Sequence, residues 1–400
     1  FKMVNGAHGH GAGNAFLMHV ANSITSVCRG TDVAARPGGD EFILALTDRS
    51  ELEVIELVDR LRRAAGHPVL IQGKSMAAKL SAGIYMVNLG VDGMEDAMHK
   101  ADVALHQAKL DGGNTCRLFS EDVESAMRAR RELELLIRST AEQKGFELYY
   151  QPLLDTNSGA CVGFEALLRL PDGMGAHISP LNCVPVIEAL GLINVVGKWV
   201  IEEAARTAAT WPSHLFVSVN LSVKQFGDGQ LAGQVKNALA ASGLKPKRLE
   251  LEVTESLLMQ NTDSIAQQIN ELRLLGVSIA MDDFGTGYSS LGYLWQFGFD
   301  KLKIDQSFVA ALSHNDKKAL EILDTIIMLG HKLDMTVTAE GIETAHQAEV
   351  LSSLSCDQVQ GFLYGRPLPA SEIALFLLEN TRTRLTSRDG FKESERKPAV

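Results

Sequence analysis

Along the C-terminal part of the chain, short apolar runs rich in β-branched residues recur with helical patterns between them. They are Phe146–Tyr150, Val162–Leu170, Leu215–Leu221, Leu249–Val253, Val277–Met281, Lys301–Ile304, Thr336–Ala339 and Gln358–Leu363. Eight such runs alternating with helices predict a (β/α)8 barrel of the TIM type, placed at residues 142–381. A doubly wound open sheet, the competing architecture, carries a glycine-rich phosphate loop after its first strand, and none follows Tyr150.

Residues 1–120 follow another rhythm. Apolar residues fall at helical spacing over 13–28, and Val33-Ala34-Ala35 and Phe42–Leu46 flank Pro37-Gly38-Gly39-Asp40 as a β-hairpin around a glycine turn. Residues 51–65 read as a helix and 78–87 as a strand; 94–110 reads as an amphipathic helix stopped by Gly112-Gly113. The result is an α+β domain. Residues 121–141, at the head of a charge-rich run of strong helix formers, predict a helical connector, and the polar residues 382–400 predict a disordered tail. The chain opens on Phe1-Lys2-Met3-Val4-Asn5 as though a strand had been cut, so it is expected to be a piece of a longer protein.

Composition narrows the function classes. Two domains suit 400 residues, and 46% apolar with 22% charged residues is ordinary for a globular chain. A formal charge of −11 disfavours DNA or RNA polymers as partners, although a local cation can still hold a phosphate ligand. The five cysteines show no Cys-x-x-Cys spacing, which predicts reduced thiols in a cytoplasm. No run reaches the length of a membrane span, so no membrane contact is expected within these residues.

Polar residues end the barrel strands: Glu165, Asn220, Glu252 with Glu255, Asp282-Asp283, Lys303, Glu340 with Glu343, and Gln360. A barrel brings the C-terminal ends of its strands to one mouth, where packed carboxylates repel unless cations neutralise them. Oxygen donors without His or Cys select Mg2+ or Mn2+, and Asp282-Asp283 suits two metals close together, as in phosphoester hydrolysis. Lys303 and Arg169 either assist water and phosphate or pair with these same acids; spacing alone leaves both open.

Glu165-Ala166-Leu167, the VNLS segment, Glu252-x-Thr254-Glu255, Asp282-Asp283-Phe284-Gly285-Thr286-Gly287, Lys303-Ile304-Asp305, Ala339-Glu340-Gly341-Ile342-Glu343 and Gln360-Gly361-Phe362 together resemble the EAL phosphodiesterase family. The resemblance implies hydrolysis of cyclic di-GMP to linear pGpG with two Mg2+ or Mn2+ ions. It implies that Glu165, Asn220, Glu252, Asp282, Asp283, Glu340 and Gln360 form the metal site. Lys303 is implied to face the catalytic water, Glu255 to support the mobile loop after Asp283, and Gln151, Arg169 and Glu343 to touch substrate. Glu165, Lys303, Glu255 and Glu340 are the expected catalytic set. A non-catalytic cyclic di-GMP receptor is the alternative, and it would normally show a lost ligand.

Gly38-Gly39-Asp40-Glu41-Phe42 is by itself a good hairpin turn, and it also resembles the signature of GGDEF diguanylate cyclases, whose fold is a nucleotidyl-cyclase palm. Asn5, Asn14, Gly38, Gly39, Asp40, Glu41 and Lys109 are implied to bind nucleotide. Arg29-x-x-Asp32 resembles the family's inhibitory product site, or else is a routine surface ion pair. Gly6 and Asn14 stand where acids are usual, and Gly113 where a basic residue is. These departures favour regulation, with GTP as an allosteric ligand, over synthesis; a bifunctional longer protein is the alternative, and a homodimer is expected.

Overall fold

The computed structural model describes residues 1–71, 73–258, 262–285, 294, 297–312 and 317–382. Two compact units divide the chain, residues 1–132 and 133–400.

The first unit is α+β. Helix α1 (Lys2–Val27) includes the opening segment that the sequence suggested was a cut strand, and Gly9, at φ 79°, breaks its helical path. The hairpin is present, β1 (Val33–Gly38) antiparallel to β2 (Glu41–Ala45), turning at Gly39 with φ 56°. Helix α2 (Glu51–Gly66) opens with a capping box between Ser50 and Glu53. A second hairpin, β3 (Val69–Ile71) with β4 (Lys74–Met76), lay hidden in the sequence because each strand is three residues long. The strand read over 78–87 shrinks to β5 (Ala82–Ile84), which pairs with β6 (Cys116–Leu118) in parallel around α3 (Met94–Leu110).

Helix α4 (Glu121–Gln143) follows. Its second half is more than a connector, because Ile137 is buried in the core of the second unit with Leu133, Leu136 and Ala141 packed against that core.

The barrel strands are β7 (Glu147–Asp155), β8 (Cys161–Pro171), β10 (Phe216–Asn220), β11 (Leu249–Thr254), β12 (Ser278–Phe284), β13 (Lys301–Ile304), β14 (Thr336–Ala339) and β15 (Gln358–Gln360). From β8 to β15 neighbours run parallel in chain order, and β7 closes the ring between β15 and β8. That strand departs from the uniform alternation expected, since it is antiparallel to both neighbours. The cause is local. Asp155 accepts from the backbone and hydroxyl of Ser158, and Gly159 turns the chain at φ 64°, so β7 and β8 form a hairpin with no helix between them. The short β9 (His177–Ile178) then folds back on β8. The run expected at Gln358–Leu363 stops at Gln360, and Gly361 then passes so close to Ile342 that an added Cβ would lie 2.1 Å from its carbonyl oxygen.

Candidate functional site

Strand register assembles the site. Gln151 lies opposite Glu165, and Asn220 beside Glu252. In a regular strand consecutive side chains point to opposite faces. A register shift between β12 and β13 interrupts that rule after Met281, and Asp283 adopts a left-handed φ of 55°. The bulge lets the neighbours Asp282 and Asp283 serve one mouth, where Asp283 feels the charges of Asp282, Asp305, Lys303 and Glu165.

Glu165 is buried with both oxygens engaged: the Asn220 amide donates to Oε1 at 2.6 Å and the Gln360 amide to Oε2 at 2.6 Å. Gln360 also donates to Gln151 Oε1 at 3.2 Å. Lys303, wholly buried, places its ammonium 2.6 Å from Glu252, 2.6 Å from Glu340 and 3.2 Å from Asp282. Of the two roles the sequence left open, the ion pairs are therefore the one formed here.

Charge does not balance in this mouth. Burial pushes the Glu252 carboxyl well above the usual range; Lys303 opposes the shift, while Glu165, Asp282 and Glu340 add to it. Burial likewise pushes Glu340 up to about 8 against the pull of Lys303. Burial and Asp282 raise Asp283. For Lys303 burial alone would lower the pKa, but Asp282, Glu165, Glu252 and Glu340 outweigh it and hold the ammonium above its ordinary value.

The residues fit hard divalent cations. Among the described residues Glu165, Glu252, Asp282, Asp283 and Glu340 gather around the Lys303 ammonium, and the donors are all oxygen. Buried Glu252 Oε1 and Gln360 Oε1 have no hydrogen-bond partner among the described residues, which leaves them open to a ligand. Among those residues no trio of acid, His or Cys groups forms a finished metal cage, and the Lys303 ammonium is the positive charge the carboxylates gather around.

Other expected residues fall differently. Glu255 is buried at the start of the short helix Glu255–Leu258, while Thr286 and Gly287 of the loop it was expected to support lie outside the described residues, as does the tail after 382. Glu343 stays exposed beside the cluster, its backbone N–H donating to Gln347. Half-buried Arg169 donates to the Leu168 carbonyl at 2.9 Å. A second buried pair, Lys301 with Glu250 at 2.8 Å, sits two residues upstream on the same strands and was missed by sequence reading; its signal was the i, i+2 repeat in Lys301-x-Lys303 and Glu250-x-Glu252.

In the first unit Asp40, Glu41, Asn14 and Lys109 are exposed, and Arg36 donates to the Gly39 carbonyl at 2.6 Å across the turn that Gly38 enters. Asn5 Oδ1 is buried without a hydrogen-bond partner among the described residues. The side-chain partner of Asp32 is Arg49, at 2.5 Å with both side chains buried, while Arg29 contributes only its backbone N–H. The surface Arg29–Asp32 ion pair considered from spacing is thus replaced by one that joins two distant segments.

Residues 134–367 match the EAL domain family and residues 1–115 the diguanylate cyclase GGDEF domain family. The chain belongs to the EAL family and carries a GGDEF domain ahead of its EAL domain. It is 37% identical over 379 residues to the bifunctional diguanylate cyclase/cyclic di-GMP phosphodiesterase MucR of Pseudomonas aeruginosa, covering 93% of this chain and 55% of that protein. To the cyclic di-GMP phosphodiesterase NbdA of the same species it is 35% identical, covering 94% of this chain and 48% of that protein. The chain thus spans about half the length of these curated relatives. A solved structure of the PaMucR phosphodiesterase in complex with c-di-GMP is 40% identical with a TM-score of 0.58, covering 60% of this chain and 99% of that one. Among the described residues no helix is long and apolar enough to cross a membrane.

Proposed function

We propose that the barrel hydrolyses cyclic di-GMP to linear pGpG, with two Mg2+ or Mn2+ ions held by Glu165, Asn220, Glu252, Asp282, Asp283, Glu340 and Gln360. The observation that carries this reading is the carboxylate excess around Lys303 in a buried, oxygen-lined mouth. Family membership and the phosphodiesterases among the relatives support it. Bound cations make the attacking water a better nucleophile and offset the charge that develops on the phosphoryl group.

The protein's own residues prepare the site. The Asn220 and Gln360 amides hold the Glu165 carboxylate in one orientation, which preorganises it as a ligand. Lys303 stays an ammonium through the neutral range and does not serve as a base; its donors point at Glu252, Glu340 and Asp282, and one of them would turn to orient the attacking water when bound cations take over those carboxylates. Arg169 holds a phosphate oxygen of the substrate, and Gln151, four residues along the ribbon, reinforces the amide network around Glu165. The GGDEF-like unit binds a guanine nucleotide through its Gly38-Gly39 turn and biases the barrel, a role that requires GTP to change KM or kcat.

The test is to incubate the chain with cyclic di-GMP and Mg2+ or Mn2+, with and without GTP, and to follow pGpG by chromatography beside Glu165→Ala. Product that requires both metal and Glu165 supports hydrolysis. Tight binding without turnover under either metal would make the barrel a receptor, and kinetics indifferent to GTP would remove the regulatory role.

A further inference from the structure

The β7–β8 ribbon leads away from the mouth and carries side chains that take no part in the carboxylate cluster. Opposed residues of antiparallel strands share a face, so Gln151 with Glu165, Tyr149 with Leu167, and Glu147 with Arg169 line one side in that order. Leu148 and Tyr150 turn the other way and are buried in the core. At the rise of a strand, Tyr149 lies about 7 Å and Arg169 about 14 Å beyond the Gln151–Glu165 pair. β9 widens the strip, placing His177 opposite Pro171 with its ring 5.0 Å from that of Tyr149.

Cross-strand pairing would ordinarily join Arg169 to Glu147. Instead Glu147 Oε2 lies 3.2 Å from His177 Nε2, and among the described residues Arg169 closes no ion pair, although it feels the Glu165 charge. The only hydrogen bond of Arg169 among those residues is to the Leu168 carbonyl. Its guanidinium lies 5.5 Å from the Tyr149 ring centre. A cation with donors to spare thus adjoins a half-buried aromatic ring, and both guanidinium planes and aromatic rings are surfaces on which bases stack.

We infer that Tyr149, braced by His177, is the stacking platform for one purine base of the cyclic dinucleotide, beside the phosphate that Arg169 holds. This rests on the hydrolysis reading above and adds a specificity residue to it. Phosphate and base belong to neighbouring parts of one nucleotide, and the strip offers an anion site and a ring side by side. The Glu147–His177 pair fixes the ring that braces Tyr149 and keeps the acid away from Arg169. Tyr149 is a positioning and specificity residue, remote from the reacting atoms.

The experiment measures kcat and KM of wild type, Tyr149→Leu, Tyr149→Phe and His177→Ala on cyclic di-GMP and on methyl p-nitrophenyl phosphate, a diester without a base, with Tm recorded for each. Loss of one stacked base is expected to raise KM for cyclic di-GMP by about 5- to 150-fold in Tyr149→Leu. That loss should exceed the loss on the base-free ester at least about fivefold, with Tyr149→Phe close to wild type and His177→Ala intermediate. Equal losses on the two substrates, or no rise in KM, would overturn the platform. Calorimetric Kd values for cyclic di-GMP, taken without added metal, repeat the comparison independently of turnover. Absent turnover with a weakened Kd in Tyr149→Leu would sink the hydrolysis reading alone; unchanged Kd would sink the platform alone.

Discussion

In the barrel, Lys303 meets Glu252 across 51 residues of chain and Gln360 meets Glu165 across 195. At the glycine turn of the first unit, Arg36 reaches Gly39 across three residues, and the acids beside it stand in solvent. Both units bear a recognisable acidic motif, but only the barrel desolvates its acids together and forces them to share one ammonium. Exposed acids are screened by water and need no partner, whereas buried ones must find protons or cations. A motif becomes a charged site when tertiary structure removes the solvent around it.

This contrast predicts effects of decreasing size. Glu165→Ala removes the residue that joins both amides of the mouth, and pGpG formation should fall by more than about 100-fold at saturating Mg2+. A variant retaining a tenth of the rate would place the chemistry elsewhere. Lys303→Met leaves Glu252, Glu340 and Asp282 without their cation. Breaking so buried a set of pairs should cost about 3–5 kcal/mol in metal-free denaturant unfolding of the barrel, and less once Mg2+ is added. An unchanged midpoint would mean that water already screens the cluster.

The two units should also respond to pH with opposite sign. Glu340 is pushed up to about 8, so the metal-free native barrel holds a proton that the unfolded chain has lost. That contribution is complete below the ordinary value of 4.5 and disappears as pH rises through about 8. The Tm of the metal-free barrel should therefore fall from about pH 5 to about pH 8.5, and Mg2+ should flatten the slope. In the first unit the Tyr85 hydroxyl, then the Asn88 N–H and Lys100, hold Asp92 down to about 2. A depressed carboxyl stabilises above its ordinary value of 3.8, and the benefit is lost as pH falls towards about 2. Tyr85→Phe should shrink that small acid-side loss, read as Tm of the first unit; equal acid sensitivity in the two proteins would exclude this hydrogen bond as its source.

Much of this was legible from residue order. The eight barrel strands showed themselves through β-branched runs, and α3 and the first hairpin through periodicity and glycine punctuation. What escaped was decided by short or local features. The strands β3 and β4 are too short to show a period, and the Asp155–Gly159 turn replaced an expected helix with a hairpin that reversed β7. At the site, acids at strand ends could be named as a cluster, but their partners could not. The pairing of Asp32 with Arg49 in place of Arg29 and the exposure of Glu343 depend on distances between segments remote in sequence.

Sequence alone determined the family motifs, the order of strands and the inventory of oxygen donors, because periodicity and residue chemistry are local properties. Tertiary structure decided which donors share a mouth, that a bulge at Asp282-Asp283 presents two successive acids to it, and that Lys303 is buried as their counter-ion. Burial, electrostatic coupling and register arise only when remote strands pair, so they cannot be read from neighbours along the chain.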